Sequence, residues 1–235
     1  MPDSPTAEHT CDVCALRTGW LFARLGEEET ALLASYARSL TFSRRQILFN
    51  EGDPAAQMFV ICSGVVKLTR VSPEGRVQVL GLVTPGQMAG IEGFFHSHYD
   101  LGAESLTAGS ACVLPREQLL RTLREHPAFA LQLLEAMHLK LDEARAHIQE
   151  MGKTSAEAKI CTLLCDLLPH LQQSGKASKG AEGFPLAHSD LAEILGLSRE
   201  TISRAVGGLA KQGIVTLARN QVLIHDPERL KELAR

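Results

Sequence analysis

The spacing of hydrophobic and polar positions changes three times along the chain. From Glu27 to Leu40 apolar residues recur at helical intervals (Ala31, Leu32, Ala34, Leu40), which predicts a helix. From Gln46 to Leu114 the chain breaks into short β-rich runs, ILF, MFVIC, VVKLTRV and VQVLGLV, punctuated by Gly52-Asp53, Ser63-Gly64, Pro73-Glu-Gly75 and Pro85-Gly86. Runs of this length between turn residues predict an antiparallel sheet. Gly64, Gly75 and Gly86 fall eleven residues apart, as expected when strands of about 5–6 residues each end in a turn that needs positive φ. A generic β-sandwich would give the same runs.

Helical spacing returns before Met151. Ala130, Leu134, Met137, Leu141, Ala144, Ile148 and Met151 alternate intervals of four and three, an a/d seam over about three heptads. Glu135, Lys140, Asp142, Glu143 and Arg145 flank it and keep the stripe narrow. This predicts a twofold coiled coil, hence a homodimer; the plainer alternative is a helix packed on its own domain. Thr154 to His170 predicts a further amphipathic helix, and Gln172 to Gly183 a polar connector. Ile214–Leu217 and Gln221–His225, joined at Arg219-Asn220, predict a hairpin. The expected fold class is α+β. A head spans residues 1–20, a β-roll 21–127, a dimerisation helix 128–152 and a C-terminal winged helix-turn-helix 153–235.

Within that last unit, Leu186 to Gly213 has the layout of two short helices joined by a glycine turn. Ser189 is the expected cap of the first, with Ala192, Ile194 and Leu195 inward and Gly196 ending it in the left-handed conformation. Ser198 is the expected cap of the second. Thr201 stands where a capping box would place Glu, so only half of that signature is present. Ile202, Val206 and Leu209 form the buried stripe, leaving Arg199, Glu200, Ser203 and Arg204 on the outer face. Arginine can donate twice to guanine, glutamate can accept from cytosine, and serine can meet a base edge or a phosphate. These are the positions a recognition helix offers to the major groove of double-stranded DNA.

Composition narrows the class further. The 235 residues are 45% hydrophobic and 22% charged, with a formal net charge of −3, so disorder is excluded. From Gly152 onward eleven Lys/Arg face nine Asp/Glu, against thirteen and eighteen before it, so the DNA-reading half is the more basic one. No stretch approaches the ~18 apolar residues that would span a bilayer. The first ten residues lack the basic-then-apolar layout of a secretory signal, so a cytoplasmic location is expected. In that reducing setting six cysteines point to metal or redox chemistry rather than a disulfide framework. The chain contains no G-x-S-x-G, H-E-x-x-H or P-loop, and no enzyme activity is expected.

The order of β-roll, long helix and winged helix-turn-helix resembles the CRP/FNR family of bacterial transcription regulators, over about Trp20 to Pro227. The string Leu195-Gly-Leu-Ser-Arg-Glu-Thr-Ile-Ser-Arg204 carries the most specific likeness. Glu200-x-x-Ser203-Arg204 is similar to the FNR branch, whose members read TTGAT-type half-sites; the cyclic-AMP branch has glycine where Ser203 stands. The resemblance implies a cyclic-nucleotide-binding-like jelly roll. It also implies a DNA contact made by Ser198, Arg199, Glu200, Thr201, Ser203 and Arg204, with Glu200 and Arg204 reading the shared TGA core. RNA polymerase is the implied partner.

Cyclic AMP is not the expected ligand. The family's cassette offers a Glu to the ribose and an Arg-Ser pair to the phosphate, where this chain has Ile91 and Leu101-Gly102. Cys11, Cys14 and Cys112 match three of the four ligands of FNR-type [4Fe–4S] oxygen sensors, in which soft thiolates hold iron. The usual further cysteine after Cys14 is missing; Cys62, if the fold brings it near Cys112, and His9 are the candidates for a fourth ligand. A thiol redox switch on the same cysteines and a haem site near His96 and His98 are the alternatives. Cys62, Cys161 and Cys165 also suit small core positions.

Overall fold

The computed structural model describes residues 27–75, 77–151, 155–171, 182–218 and 221–234. Cys11, Cys14 and His9 lie outside them, as does most of the predicted connector. Helix α1 (Glu27–Tyr36) stops short of the predicted Leu40, which belongs instead to strand β1 (Arg38–Phe42). That strand pairs antiparallel with β8 (Gly109–Pro115), Leu40 opposite Ala111 and Phe42 opposite Gly109. A partner strand and a buried Phe42 override helical spacing that rested on one residue.

The four predicted runs are β2 (Ile47–Phe49), β3 (Gln57–Ser63), β4 (Val66–Val71) and β5 (Val77–Val83). With β6 (Met88–Ala89) and β7 (Gly102–Ser105) they build two four-stranded antiparallel sheets, ordered β1-β8-β3-β6 and β2-β7-β4-β5. Gly64, Gly75 and Gly86 turn at φ of 81°, 75° and 85°, the positive region their spacing predicted. Phe42, Phe59, Ile61, Ala111 and Val113 of the first sheet meet Phe49, Val66, Val83 and Ala103 of the second to fill the roll. The alternate residues of the two central strands point out of the roll. Met58 and Val60 of β3 and Cys112 and Leu114 of β8 pack under Leu33 of α1, Leu119 of α2 (Arg116–Glu125) and Phe129 of α3 (Pro127–Met151). Strands β3 and β8 are thus apolar on both faces, which is why their sequences read as continuous runs.

The long helix is present as predicted, and two residues of its seam, Leu134 and Leu141, are exposed together with Leu131. Ala130 and Met137 are half-buried, and Met137 packs against the cluster beneath the first sheet. Leu131, Leu134 and Leu141 stand in solvent at 68%, 66% and 49% exposure. The side chains of Ala144, Ile148 and Met151 lie outside the described residues.

The C-terminal unit comprises α4 (Ala156–Leu171), β9 (Glu182–Phe184), α5 (His188–Leu195), α6 (Arg199–Lys211), β10 (Val215–Ala218), β11 (Gln221–Ile224) and α7 (Pro227–Leu233). The end of the predicted connector is a strand: Phe184 of β9 pairs with Val222, giving the hairpin a third member. The core of this unit runs from Ile160, Leu164 and Leu167 through Leu191, Ile202, Val206 and Leu209 to Ile214, Val222 and Leu230. Val65 and Leu106 of the roll belong to the same cluster, so the two halves share one apolar contact.

Candidate nucleic-acid interface and sensor site

Helix α6 is built as its sequence predicts. Ser198 is its N-cap, the Oγ accepting a hydrogen bond from the Thr201 amide at 3.1 Å. Ile202, Val206 and Leu209 are buried together with Ala205, while Ser198, Arg199, Glu200, Ser203 and Arg204 are exposed and Thr201 is half-buried. The buried stripe fixes the helix, and the first turns are left free to enter a groove. Gly196 ends α5 at φ 62°, as expected. The cap of α5 differs from the prediction. The N-cap is Ala187, and Ser189 lies inside the helix. The Asp190 carboxylate supplies the missing bond by accepting from the Ala187 amide at 2.8 Å. Leu191, at 0% exposure, is the main inward residue of α5, more deeply buried than Ile194 or Leu195.

Asp190 also joins the two halves of the molecule. Its Oδ2 lies 2.5 Å from Arg44 Nη2, and its Oδ1 lies 3.9 Å from Arg45 Nη2. Nearby, the nearly buried Lys67 of β4 reaches Glu193 of α5 at 2.9 Å and Glu104 of β7 at 3.2 Å. Burial pushes the Lys67 ammonium down, but the Glu193 hydrogen bond and the charges of Glu104 and Glu193 more than offset this, so its pKa stands above the ordinary value. The first helix of the helix-turn-helix is thereby clamped to the sensor roll. The sequence shows one trace of this clamp, a lysine inside the apolar run VVKLTRV; its partners lie more than thirty residues away and have no local signature.

The fold brings Cys62 to Cys112, the proximity on which a sulfur site including Cys62 depends. Their Sγ atoms are 3.5 Å apart on the outer face of the first sheet. Cys112 is disulfide-bonded, whereas Cys62 keeps its thiol. Cys161 is fully buried in α4, and burial, with smaller contributions from Cys165 and Glu157, pushes its pKa up to about 12. The Cys165 thiol is raised too, chiefly by burial. Both are core residues. His96 and His98 lie on an exposed loop, hydrogen-bonded to Asp100 and Ser97. At the cassette position, a Cβ on Gly102 would fall 2.9 Å from Thr69 Oγ1. The Tyr99 ring stacks on Phe49 with centroids 3.9 Å apart and donates its hydroxyl hydrogen to the Gln57 carbonyl. Among the described residues no group of three or more His, Cys, Asp or Glu is arranged to hold a metal ion, and no helix is long and apolar enough to cross a membrane.

An antiparallel roll, a long helix and a winged helix-turn-helix with a bare recognition face define a DNA-binding transcription regulator. Comparison with known proteins agrees. The sequence profile of the cyclic nucleotide-binding domain matches residues 39–126, and that of the Crp-like helix-turn-helix domain matches residues 158–233. The transcriptional activator protein FnrL of Cereibacter sphaeroides is 30% identical over 234 residues, covering 98% of this chain and 94% of that protein. The nitrogen fixation regulation protein FixK of Bradyrhizobium diazoefficiens is 28% identical over 229 residues, covering 96% and 94%. The structure of FixK2 from Bradyrhizobium japonicum shares the fold, with a TM-score of 0.70 at 24% identity over 85% of this chain and 98% of that one. The chain belongs to the CRP/FNR family of transcription regulators and, like these relatives, is not an enzyme.

Proposed function

We propose that the protein is a cytoplasmic, homodimeric regulator that binds an inverted repeat of TTGAT- or TGA-like half-sites and responds to a redox, oxygen or nitric oxide signal. The supporting observation is the exposed face of α6, where Arg199, Glu200, Ser203 and Arg204 stand clear of a helix otherwise fixed by its core. Glu200 and Arg204 read the TGA core, and Ser203 selects the outer base. Two such helices, related by the symmetry of a dimer, meet successive major grooves ~34 Å apart. Leu131, Leu134 and Leu141 supply the apolar stripe on which two copies of α3 pair, and RNA polymerase is the downstream partner.

The signal enters through sulfur. The pair Cys62 and Cys112 supports a redox reading, because the disulfide at Cys112 can be opened and reformed. Reduced Cys11, Cys14 and Cys112 have the soft donor chemistry that would hold [4Fe–4S], with Cys62 beside Cys112. Such a cluster would supply electron and oxygen chemistry. In its disulfide Cys112 is no ligand, so in this state thiol chemistry is the better supported form. Cys62 and Cys112 pack under Phe129 and Met137 at the start of α3, so a change at sulfur reaches the helix that sets the spacing of the two recognition helices.

Fluorescence anisotropy with a labelled inverted repeat and a scrambled duplex, each with reduced and oxidised protein, tests this reading. Preference for the repeat that changes with redox state is the expected result. Equal binding to both duplexes overturns the sequence-specific reading, and equal binding in both redox states overturns the redox reading.

A further inference from the structure

Gly207 and Gly208 stand inside α6, where glycine holds a helix less well than alanine. A Cβ on Gly207 would meet nothing within 4 Å, whereas one on Gly208 would collide with Oε1 of Glu157, in the first turn of α4. The missing side chain at Gly208 is therefore the seat of a carboxylate from the neighbouring helix. Glu200, Arg204 and Gly208 follow one another at intervals of four and so share one face of α6. Arg204 thus has a carboxylate a turn away on each side, Glu200 toward the helix N-terminus and Glu157 toward the C-terminus. Glu157 and Arg204 line one cleft of about 240 Å³ with Ser155 and Thr201, which gives the guanidinium room to turn. Ile160 and Leu164 of α4 share a core with Ile202, Val206 and Leu209 of α6, so the backbone beneath Glu157 is fixed against the reading helix.

The two carboxylates have opposite consequences. A guanidinium drawn to Glu200 cancels the charge of both residues assigned to bases. A guanidinium drawn to Glu157 leaves Glu200 free, and it carries more N–H donors than guanine can accept, so some remain for an anchor. We propose that Glu157 is a positioning residue for Arg204: as α6 enters the groove, its carboxylate accepts the donors that guanine leaves, on the side away from Glu200. Arg204 is then held in one plane for its base pair, and Glu200 accepts from cytosine. The inference rests on the assignment of Arg204 to a base in the function proposed above. A carboxylate in the first turn of α4 also suits the dipole of that helix, but that role carries no sequence preference.

Fluorescence anisotropy tests the positioning role, with the full-length protein on the inverted repeat, on repeats in which the G·C pair of each TGA core is replaced, and on a scrambled duplex. Glu157→Gln should lower the preference for the G·C pair by about five-fold, the lower end of what one base contact contributes. Gly208→Ala should do the same, because its Cβ displaces the flexible end of Glu157, although thermal melting should show a fold at least as stable. In an Arg204→Ala background, Glu157→Gln should leave the preference unchanged. A carboxylate that only repels phosphates would let Glu157→Gln bind every duplex more tightly at constant preference, and one that only serves the α4 dipole would lower the melting temperature at constant preference. Either result overturns the proposal, as does a loss of preference that is equal with and without Arg204. Preference lost in Arg204→Ala but kept in Glu157→Gln overturns the positioning role alone. A native protein that does not distinguish the repeat from the scrambled duplex overturns the base-reading assignment and this inference with it.

Discussion

The two halves of the molecule place their chemistry on opposite sides of their cores. In the C-terminal unit, Ile202, Val206 and Leu209 anchor α6 from beneath, and Arg199, Glu200, Ser203 and Arg204, proposed to meet DNA, are exposed. In the roll, the sulfur pair lies inside the packing, against Leu33, Leu119 and Phe129. A reader of DNA must present polar groups on a rigid support without burying them. A sensor coupled to a distant helix gains from burial, because a change of bonding within a close-packed layer displaces its neighbours. The same contrast separates the cysteines: Cys161 is inert through burial, while Cys62 is half-buried with its sulfur 3.5 Å from that of Cys112.

The sharpest way to break this contrast is to remove the support without touching the reading face. Ile202→Ala deletes a fully buried side chain from the centre of the C-terminal core and should cost about 2–5 kcal/mol of stability. Chemical denaturation would show it, and DNA affinity should fall only with the folded fraction. Arg204→Ala makes the converse change. Stability should stay within about 0.5 kcal/mol, while affinity for the inverted repeat falls by about 1–3 kcal/mol and choice relaxes at one base pair. Uniform weakening on all duplexes would instead mark Arg204 as a phosphate contact. The clamp between the halves is weaker. Arg44→Ala removes the hydrogen bonds to Asp190 and to the Leu106 carbonyl, and should loosen docking by about 1–2 kcal/mol. Calorimetry should then resolve two unfolding transitions in place of one. A single unshifted transition would show that the Lys67–Glu193 pair and the apolar contact of Val65 and Leu106 hold the halves together without Arg44.

Legibility in the sequence follows the range of the interactions. The Ser198 cap, the Gly196 turn, the α6 stripe and the turns at Gly64, Gly75 and Gly86 are set by residues within a few positions of one another, and each is found where the spacing placed it. Failures begin where a distant partner decides. Leu40 joins a strand because β8 is beside it, and Glu182–Phe184 is a strand because β11 is. On α3, Leu134 and Leu141 of the seam are exposed, and only Met137 is drawn against the roll, by a partner distant in sequence. Helix α5 is capped at Ala187 rather than Ser189 because the Asp190 carboxylate, at the third helical position, bonds back to the Ala187 amide while also holding Arg44. The exposure of Arg199, Glu200, Ser203 and Arg204 was legible residue by residue. The Cys62–Cys112 pair depends on strand register, which no local spacing encodes.

The smallest effect expected is the pH dependence carried by Cys161, and it sharpens the comparison between the two cysteine pairs. Its thiol would ionise at the ordinary value of 9.0 in the unfolded chain but is held up to about 12 by burial when folded. Below pH 9 both states keep the proton and the preference for a neutral buried thiol is fully present. Above it the unfolded chain releases the proton first, so stability falls as pH rises from about 9 toward the folded value. Cys165, also raised by burial, adds to the same slope. Urea midpoints measured upward from pH 8 should therefore decline more steeply for the native sequence than for Cys161→Ala, whatever the variant's own stability. Native alkylation at neutral pH should label Cys62 well before Cys161, because the α4 thiol is both protonated and shielded. Equal labelling rates would mean that α4 opens readily enough to expose Cys161, and the contrast between a buried and an accessible cysteine would be lost.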